Sequence, residues 1–153
     1  LRFSVRLNND LPVKRTVALA VAAERAGFDQ FWLSDDLFLR SATVMLSAIA
    51  RETRRIHIGS GIFNPYTRNP AQIAMTAATL DEWSGGRFCL GLAAGAAEFL
   101  KWVGIGQPRP LTAVVETIQV LRSLLAGEAA PLDGHFLRWT DSAWLRFSPP
   151  RAG

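Results

Sequence analysis

The chain has 153 residues, 49% of them hydrophobic and 20% charged, a make-up that suits a globular protein with a real core. Its 17 Lys and Arg against 13 Asp and Glu leave a net charge of +4, but the basic residues are scattered and form no stripe interleaved with aromatics, which argues against a nucleic-acid partner. No run is long and apolar enough to span a membrane, no metal-ligand spacing joins His57, His135 and the single cysteine Cys89, and one cysteine excludes an internal disulfide framework and fits a reducing, cytoplasmic compartment.

In chain order, Phe3 to Leu7 alternates as a first strand and is followed by the loop Asn8-Asn9-Asp10. Thr16 to Ala26 predicts a helix, apolar nearly all round and stopped by Gly27, as expected for a helix packed on a sheet. Phe31-Trp32-Leu33 reads as a second strand, with Ser34-Asp35-Asp36 at its C-terminal end. Ser41 to Thr53 reads as a second helix, with Val44, Met45, Ile49 and Ala50 inward. Ile56 to Leu92 then organises the chain as strand, loop, helix and strand. Ile56, Ile58 and Ile62 mark a buried strand. Asn69, Pro70 and Gln72 carry the signs of a helix start, Ile73, Ala74, Ala77 and Leu80 keep helical period, and Gly85-Gly86 stops the helix. The next strand, Arg87 to Leu90, places Cys89 as a buried, inert thiol. Such a βαβ unit predicts parallel strands with a right-handed crossover.

Beyond it, the small-residue loop Gly91 to Gly95 opens a short helical piece through about Trp102. Pro110 starts a long helix with Leu111, Val114, Val115, Ile118, Leu121 and Leu125 in period, until Gly127. Asp133-Gly134 signals a hairpin within Pro131 to Trp139, and Ala143 to Phe147 reads as a further extended piece. Trp83 and Trp102 are read as helix packing. Strands begin near Phe3, Phe31, Ile56 and Phe88, each followed by helix, which is βα repetition. Period alone leaves two architectures open: a doubly wound sheet, or four units of a (β/α)8 barrel.

The succession SDD (34–36), IGSGIFNPYTRNP (58–70), AATLDEWSGGRFCLGL (77–92), LRSLLAGE (121–128) and DGHF (133–136) resembles the luciferase-like flavin- or deazaflavin-dependent oxidoreductases, most of all the branch containing methylenetetrahydromethanopterin reductase. The resemblance covers Phe3 to Phe147 and corresponds to the N-terminal half of a family member. It implies an α/β fold of the TIM-barrel type, with residues 1–153 forming the N-terminal half of a single barrel domain and both chain ends looking cut.

The resemblance further implies an oxidoreductase that moves a hydride between reduced coenzyme F420 and a small organic substrate. The alternatives are an FMN-dependent monooxygenase using O2 and a non-catalytic half-barrel fragment. It assigns Asp35, Gly61, Ile62, Phe63, Asn64, Ala94 and Gly95 to cofactor binding, with a cis peptide between Gly61 and Ile62. Asp36 stands where relatives often carry a histidine taken to assist proton transfer, which makes it the candidate catalytic residue and changes the chemistry available there. In relatives that act on sugars a glutamate follows the small-residue loop. Ala96 holds that place and Glu98 lies two residues on, which argues against a sugar phosphate. Much of the phosphate-side binding is assigned to the other half of the barrel, so weak affinity for either flavin and a homo-oligomeric state are expected. The plain alternatives are a solvated turn at Asp35-Asp36 and an ordinary strand–helix loop at Gly61 to Asn64.

Overall fold

Four short strands set the framework. In the computed structural model, which describes residues 1–151, β1 (Ser4–Leu7), β2 (Gln30–Leu33), β3 (His57–Ser60) and β4 (Phe88–Cys89) make one parallel sheet in the order β1-β2-β3-β4. A doubly wound sheet would enclose β1 between two others. Here β1 is an edge, as in a run of βα units around a barrel. The helices are α1 (Val13–Arg25), α2 (Ala42–Glu52), α3 (Pro70–Ser84), α4 (Ala97–Trp102) and α5 (Pro110–Leu125), and a two-stranded antiparallel pair, β5 (Leu132–Asp133) with β6 (Arg138–Trp139), follows. The described residues divide into two units: Leu1–Phe63 with Leu80–Gly91, and Asn64–Thr79 with the stretch from Leu92 onward.

The first unit holds the whole sheet. Successive side chains of a strand point to opposite faces, and the register sorts them into rows. Val5, Phe31, Ile58 and Phe88 share one row, and Phe31, Ile58 and Phe88 are buried with Leu33 and the α2 residues Met45, Leu46 and Ile49. Arg6, Trp32, Gly59 and Cys89 share the next row, on the other face, where Arg6 is exposed and Trp32 and Cys89 are half-buried. The thiol expected to be buried is thus only partly so. Val44 points outward, 62% exposed, and Leu46 takes the inward place expected of it. The face of α1 is narrower than expected, with Thr16 and Ala20 buried and Leu19 exposed.

The connection from α2 to β3 is held from both sides. The Glu24 carboxylate accepts the backbone N–H groups of Arg54 (2.9 Å), Arg55 (2.6 Å) and Ile56 (2.8 Å). The Arg87 guanidinium donates to the carbonyls of Ala50 (2.9 Å), Thr53 (3.1 Å), Ile56 (2.8 Å) and Ser84 (2.7 Å), and to the Thr53 hydroxyl (3.0 Å). Helix C-termini leave carbonyls without intrahelical partners, and one side chain meets those of α2 and α3 together. Burial pulls the Arg87 guanidinium down from its usual range, yet arginine stays charged in proteins.

In the second unit α5 turns a different face inward from the one its apolar period suggests. Leu111 is 77% exposed and Val115 and Ile118 also face solvent, while Ala113, Glu116, Thr117, Val120, Leu121 and Leu124 are buried. Glu116 explains the rotation. Its carboxylate accepts the N–H groups of His135, Phe136 and Leu137, each at 2.9 Å, and so closes the loop between β5 and β6. Gly134 belongs to that loop because a Cβ there would collide with the same carboxylate. The loop is therefore the four residues 134–137, with Asp133 in an arm of the hairpin. Ala143 to Phe147 forms no strand, although the Ala143 carbonyl accepts the N–H of Ala130. Trp83 and Trp102 are both 59% exposed, so neither packs as a core residue; Trp83 donates to the Ser47 carbonyl and Trp102 lies edge-on to Phe99.

Two carboxylates thus bind backbone amides. For Glu24 and Glu116 burial alone would raise the pKa, but three backbone N–H donors each, with Arg55 near Glu24 and His135 near Glu116, outweigh it and hold both below the ordinary value of 4.5. A depressed folded-state pKa contributes stability above the unfolded value, and that contribution is lost as pH falls through the folded one. Urea denaturation is expected to give a constant midpoint above pH 4.5 as far as these groups are concerned, and a falling midpoint below it. The double variant Glu24→Gln, Glu116→Gln should be less stable at neutral pH and should lose most of that acid slope; an unchanged slope would refute the assignment.

Candidate functional site

The C-terminal ends of parallel strands are where α/β folds expose loops and backbone groups for chemistry. In the first unit one buried side chain, Asn9, which follows β1, ties the end of that strand to the loop after β2. Its amide nitrogen donates to the carbonyls of Asp36 (3.1 Å) and Arg40 (2.6 Å), and its amide oxygen faces the Asp36 N–H at 3.3 Å and the Ser34 hydroxyl at 2.9 Å. Two carbonyl partners fix which end of the amide is nitrogen. The Ser34 hydroxyl also lies 2.8 Å from Asp36 Oδ2, and its single proton serves one acceptor at a time. Asp35 and Asp36 are half-buried.

With both feet of the loop fixed, its tip is thrust outward. Phe38 takes a left-handed φ of 63° and is 72% exposed. A bulky residue seldom adopts this backbone, and such outliers concentrate at functional sites.

Gly61, Ile62 and Phe63 follow β3. The Gly61 N–H donates to the Leu33 carbonyl of β2 (2.7 Å), the Phe63 N–H donates to the Gly91 carbonyl (2.9 Å), and the Gly61–Ile62 peptide between them is cis, as the resemblance implied. Ser60 Oγ accepts from the Gly91 N–H at 3.1 Å and lies 3.1 Å from its carbonyl. Phe63 is fully buried, and Ile62 is half-buried. A Cβ on Gly61 would make ordinary packing contact with Trp32 Cβ at 3.7 Å and with Arg6 Nε and the Leu33 carbonyl at 3.8 Å. Trp32 demands one other glycine, and the Ser60 carbonyl demands a second. A Cβ on Gly59 would collide with its ring, and one on Gly91 would strike the Ser60 carbonyl and come within 3.3 Å of Trp32 Cζ3. The indole N–H reaches Gln30 Oε1 at 3.2 Å.

The remaining expected residues, Asn64, Ala94 and Gly95, lie in the second unit and form a cluster there. Asn64 Oδ1 accepts the N–H groups of Tyr66 (3.0 Å) and Thr67 (2.9 Å), an Asx turn. Gly95, with φ of 74°, lies against the Asn64 amide, and a Cβ at Gly95 would sit 3.1 Å from Nδ2. Gln107 Nε2 clasps this loop by donating to the carbonyls of Ala94 (2.8 Å) and Gly95 (3.0 Å). Tyr66 donates to the Pro108 carbonyl at 2.6 Å and meets Phe136 edge-on, and burial raises its pKa.

With this geometry in hand, comparison with known proteins decides the family. The profile of the luciferase-like monooxygenases matches residues 2–152. The chain belongs to this luciferase-like family. It is 36% identical over 139 residues to the 5,10-methylenetetrahydromethanopterin reductase of Methanolobus tindarius, covering 91% of this chain and 43% of that protein. The coenzyme F420 dependent tetrahydromethanopterin reductase of Methanopyrus kandleri superposes with a TM-score of 0.89 at 28% identity, over 97% of this chain and 47% of the other. The oxygenating constituent of 3,6-diketocamphane monooxygenase from Pseudomonas putida, solved with FMN, superposes with a TM-score of 0.79 at 17% identity over 97% of this chain and 50% of the other, a likeness of fold. The luciferase-like chain therefore spans about half the length of these relatives, and its sheet has the TIM-barrel arrangement of the half it matches.

Sequence reasoning missed Asn9, Trp32, Phe38 and Gln107. For Trp32 a signal was present, since Gly59 stands beside it on the neighbouring strand. Asn9 was visible only as a residue after a strand, and Phe38 and Gln107 carried no signal.

Two substitutions test the scaffold. Asn9→Asp turns two donated hydrogen bonds into a buried carboxylate facing two carbonyls, and is expected to cost about 3–5 kcal/mol in urea denaturation. Gly59→Ala should cost about 1–3 kcal/mol by overpacking, and this cost should shrink in a Trp32→Leu background, as a double-mutant cycle measures. Additive effects would show that the ring and the glycine are independent.

Proposed function

We propose that the protein of which this sheet is part is an F420-dependent oxidoreductase that transfers a hydride between the reduced deazaflavin and a small organic substrate. The observation that carries this reading is the pairing of higher identity with closer superposition: the F420-dependent reductase fits with a TM-score of 0.89 at 28% identity, against 0.79 at 17% for the FMN-bound monooxygenase. The residues present suit a planar ring with amide-like edges. Asp35 and Asp36, after β2, offer carboxylate acceptors, and Arg6, whose Nε lies 3.8 Å from where a Cβ on Gly61 would stand, offers donors.

Bound there, coenzyme F420 supplies the hydride chemistry, and the protein positions and shields the ring. On this reading Asp35 and the backbone from Gly61 to Phe63 hold the ring. Asp36 would offer a carboxylate to substrate, the carboxylate oriented by Ser34 and the backbone by Asn9. An acceptor held in this way orients substrate; as a proton donor it would first have to be protonated itself. The assignment of Asn64, Ala94 and Gly95 to the cofactor rests on the family resemblance. The two units are read as parts of the first half of one barrel domain.

The test compares coenzyme F420 and FMN in the same fluorescence titration, with anaerobic oxidation of reduced F420 by candidate acceptors as a second arm. F420 is expected to bind at least about tenfold more tightly than FMN, a difference of about 1.4 kcal/mol. Preferential FMN binding with oxygen-dependent turnover would overturn the proposal in favour of a monooxygenase.

A further inference from the structure

Between α4 and α5 the second unit carries a strap, residues 106–110. Gly106, Pro108, Arg109 and Pro110 are exposed, and Gln107 among them is half-buried. Prolines on either side of Arg109 fix φ at two positions, so the strap has few soft dihedrals. Arg109 itself takes a left-handed backbone, φ 50° and ψ 57°, although a residue before proline favours an extended one. A non-glycine residue keeps such a backbone only where its surroundings impose it.

The contacts around the strap form a closed circuit. The Tyr66 hydroxyl donates to the Pro108 carbonyl at 2.6 Å, and Phe136 braces its ring edge-on with centroids 5.2 Å apart. One residue before Pro108, Gln107 Nε2 donates to the carbonyls of Ala94 (2.8 Å) and Gly95 (3.0 Å). Gly95 lies against the Asn64 amide, where a Cβ would stand 3.1 Å from Nδ2. Asn64 Oδ1 completes the circuit by accepting the N–H groups of Tyr66 and Thr67. We propose that Gln107 and Tyr66 are positioning residues, which hold the Ala94–Gly95 turn against Asn64 in its binding shape before a cofactor arrives. The inference rests on the reading above that Asn64, Ala94 and Gly95 serve the cofactor.

The chemistry of the turn favours this role over plain packing. Ala93, Ala94, Gly95 and Ala96 have no polar side chain with which to fix their own backbone, so the holding falls to a residue outside the turn. Gln107 Nε2 carries two protons and meets two carbonyl oxygens, which uses its donor capacity in full. Gathering two successive carbonyls onto one nitrogen selects a single conformer of the turn. Order supplied in the free protein is not subtracted from affinity when a ligand binds.

The test replaces each donor without removing bulk. Gln107→Glu keeps the shape of the side chain and turns a carboxylate toward two carbonyls, Gln107→Lys restores a donor, and Tyr66→Phe keeps the ring against Phe136 and loses only the hydroxyl. The full chain and its variants are titrated with coenzyme F420 by fluorescence. Amide hydrogen exchange follows residues 94–96 without cofactor, and urea denaturation follows global stability. Gln107→Glu is expected to weaken F420 binding about tenfold or more and to speed exchange at 94–96. Gln107→Lys should recover affinity to within about threefold of the unaltered chain. Because both side chains act through one strap, adding Tyr66→Phe to Gln107→Glu should weaken binding little further.

Unchanged affinity or unchanged exchange in Gln107→Glu would overturn the proposal. So would equal losses in Gln107→Glu and Gln107→Lys with lowered urea midpoints, which mark packing alone, or additive losses in the double variant. The cofactor reading fails separately. A chain that prefers FMN defeats that reading, and the same variants titrated with FMN still decide the role of the strap. Binding of neither flavin defeats both, and F420 binding indifferent to position 107 defeats this inference alone.

Discussion

The segment Thr53 to Ile56 is where this fold is fixed. A chain leaving a helix and entering a central strand has backbone donors and acceptors that neither element satisfies. Here the N–H groups of Arg54, Arg55 and Ile56 go to one anion, Glu24, and the carbonyls of Thr53 and Ile56 accept from Arg87, which also takes carbonyls of α2 and α3, while Arg54 shares the Thr53 carbonyl. Glu24 belongs to α1 and Arg87 immediately precedes β4, so two charged side chains tie the start of β3 to an element on either side of it. Sheet register follows, since β3 pairs with β2 on one side and β4 on the other. A one-residue slip would reverse every side chain of the strand and turn Gly59 away from Trp32.

At the opposite ends of the strands the same logic is applied with a neutral group. Asn9 offers donors and acceptors together, so a single amide holds the Ser34–Asp36 stretch and Arg40 without placing a second charge beside the carboxylates. Charges clamp the end without loops, and an uncharged clamp supports the end that bears Asp35 and Asp36. The result separates stability from chemistry: the carboxylates remain half-exposed and the groups that hold their backbone are buried.

The strands and helices were legible in the sequence because each is bounded by a local device. Gly27, Gly85, Gly86 and Gly127 take positive φ at helix ends, Asn69 Oδ1 accepts the Ala71 N–H at 2.9 Å, and Pro110 opens α5. The cis bond at Gly61–Ile62 was reached through the family's motif, and no periodicity indicates it. Faces were less legible than elements. Apolar period on α5 pointed to Leu111, Val115 and Ile118, but Glu116 must face the loop it closes, and one buried carboxylate with three partners outweighs several exposed aliphatic side chains. Long-range polar pairs such as Asn9 with Arg40 or Gln107 with Gly95 leave no periodic trace, since each depends on where two distant loops meet.

Trp32 with Gly59 has a consequence for how this part of the sheet can change over generations. The indole occupies the volume a Cβ on Gly59 would need, so no substitution at 59 is neutral while it remains, and a smaller residue at 32 leaves a void above that glycine. Viable routes to a differently shaped sheet face pass through paired replacements on adjacent strands, far apart in the gene. Positions 32 and 59 are expected to vary together among relatives or to stay fixed together, which makes their joint identity a record of descent within the family.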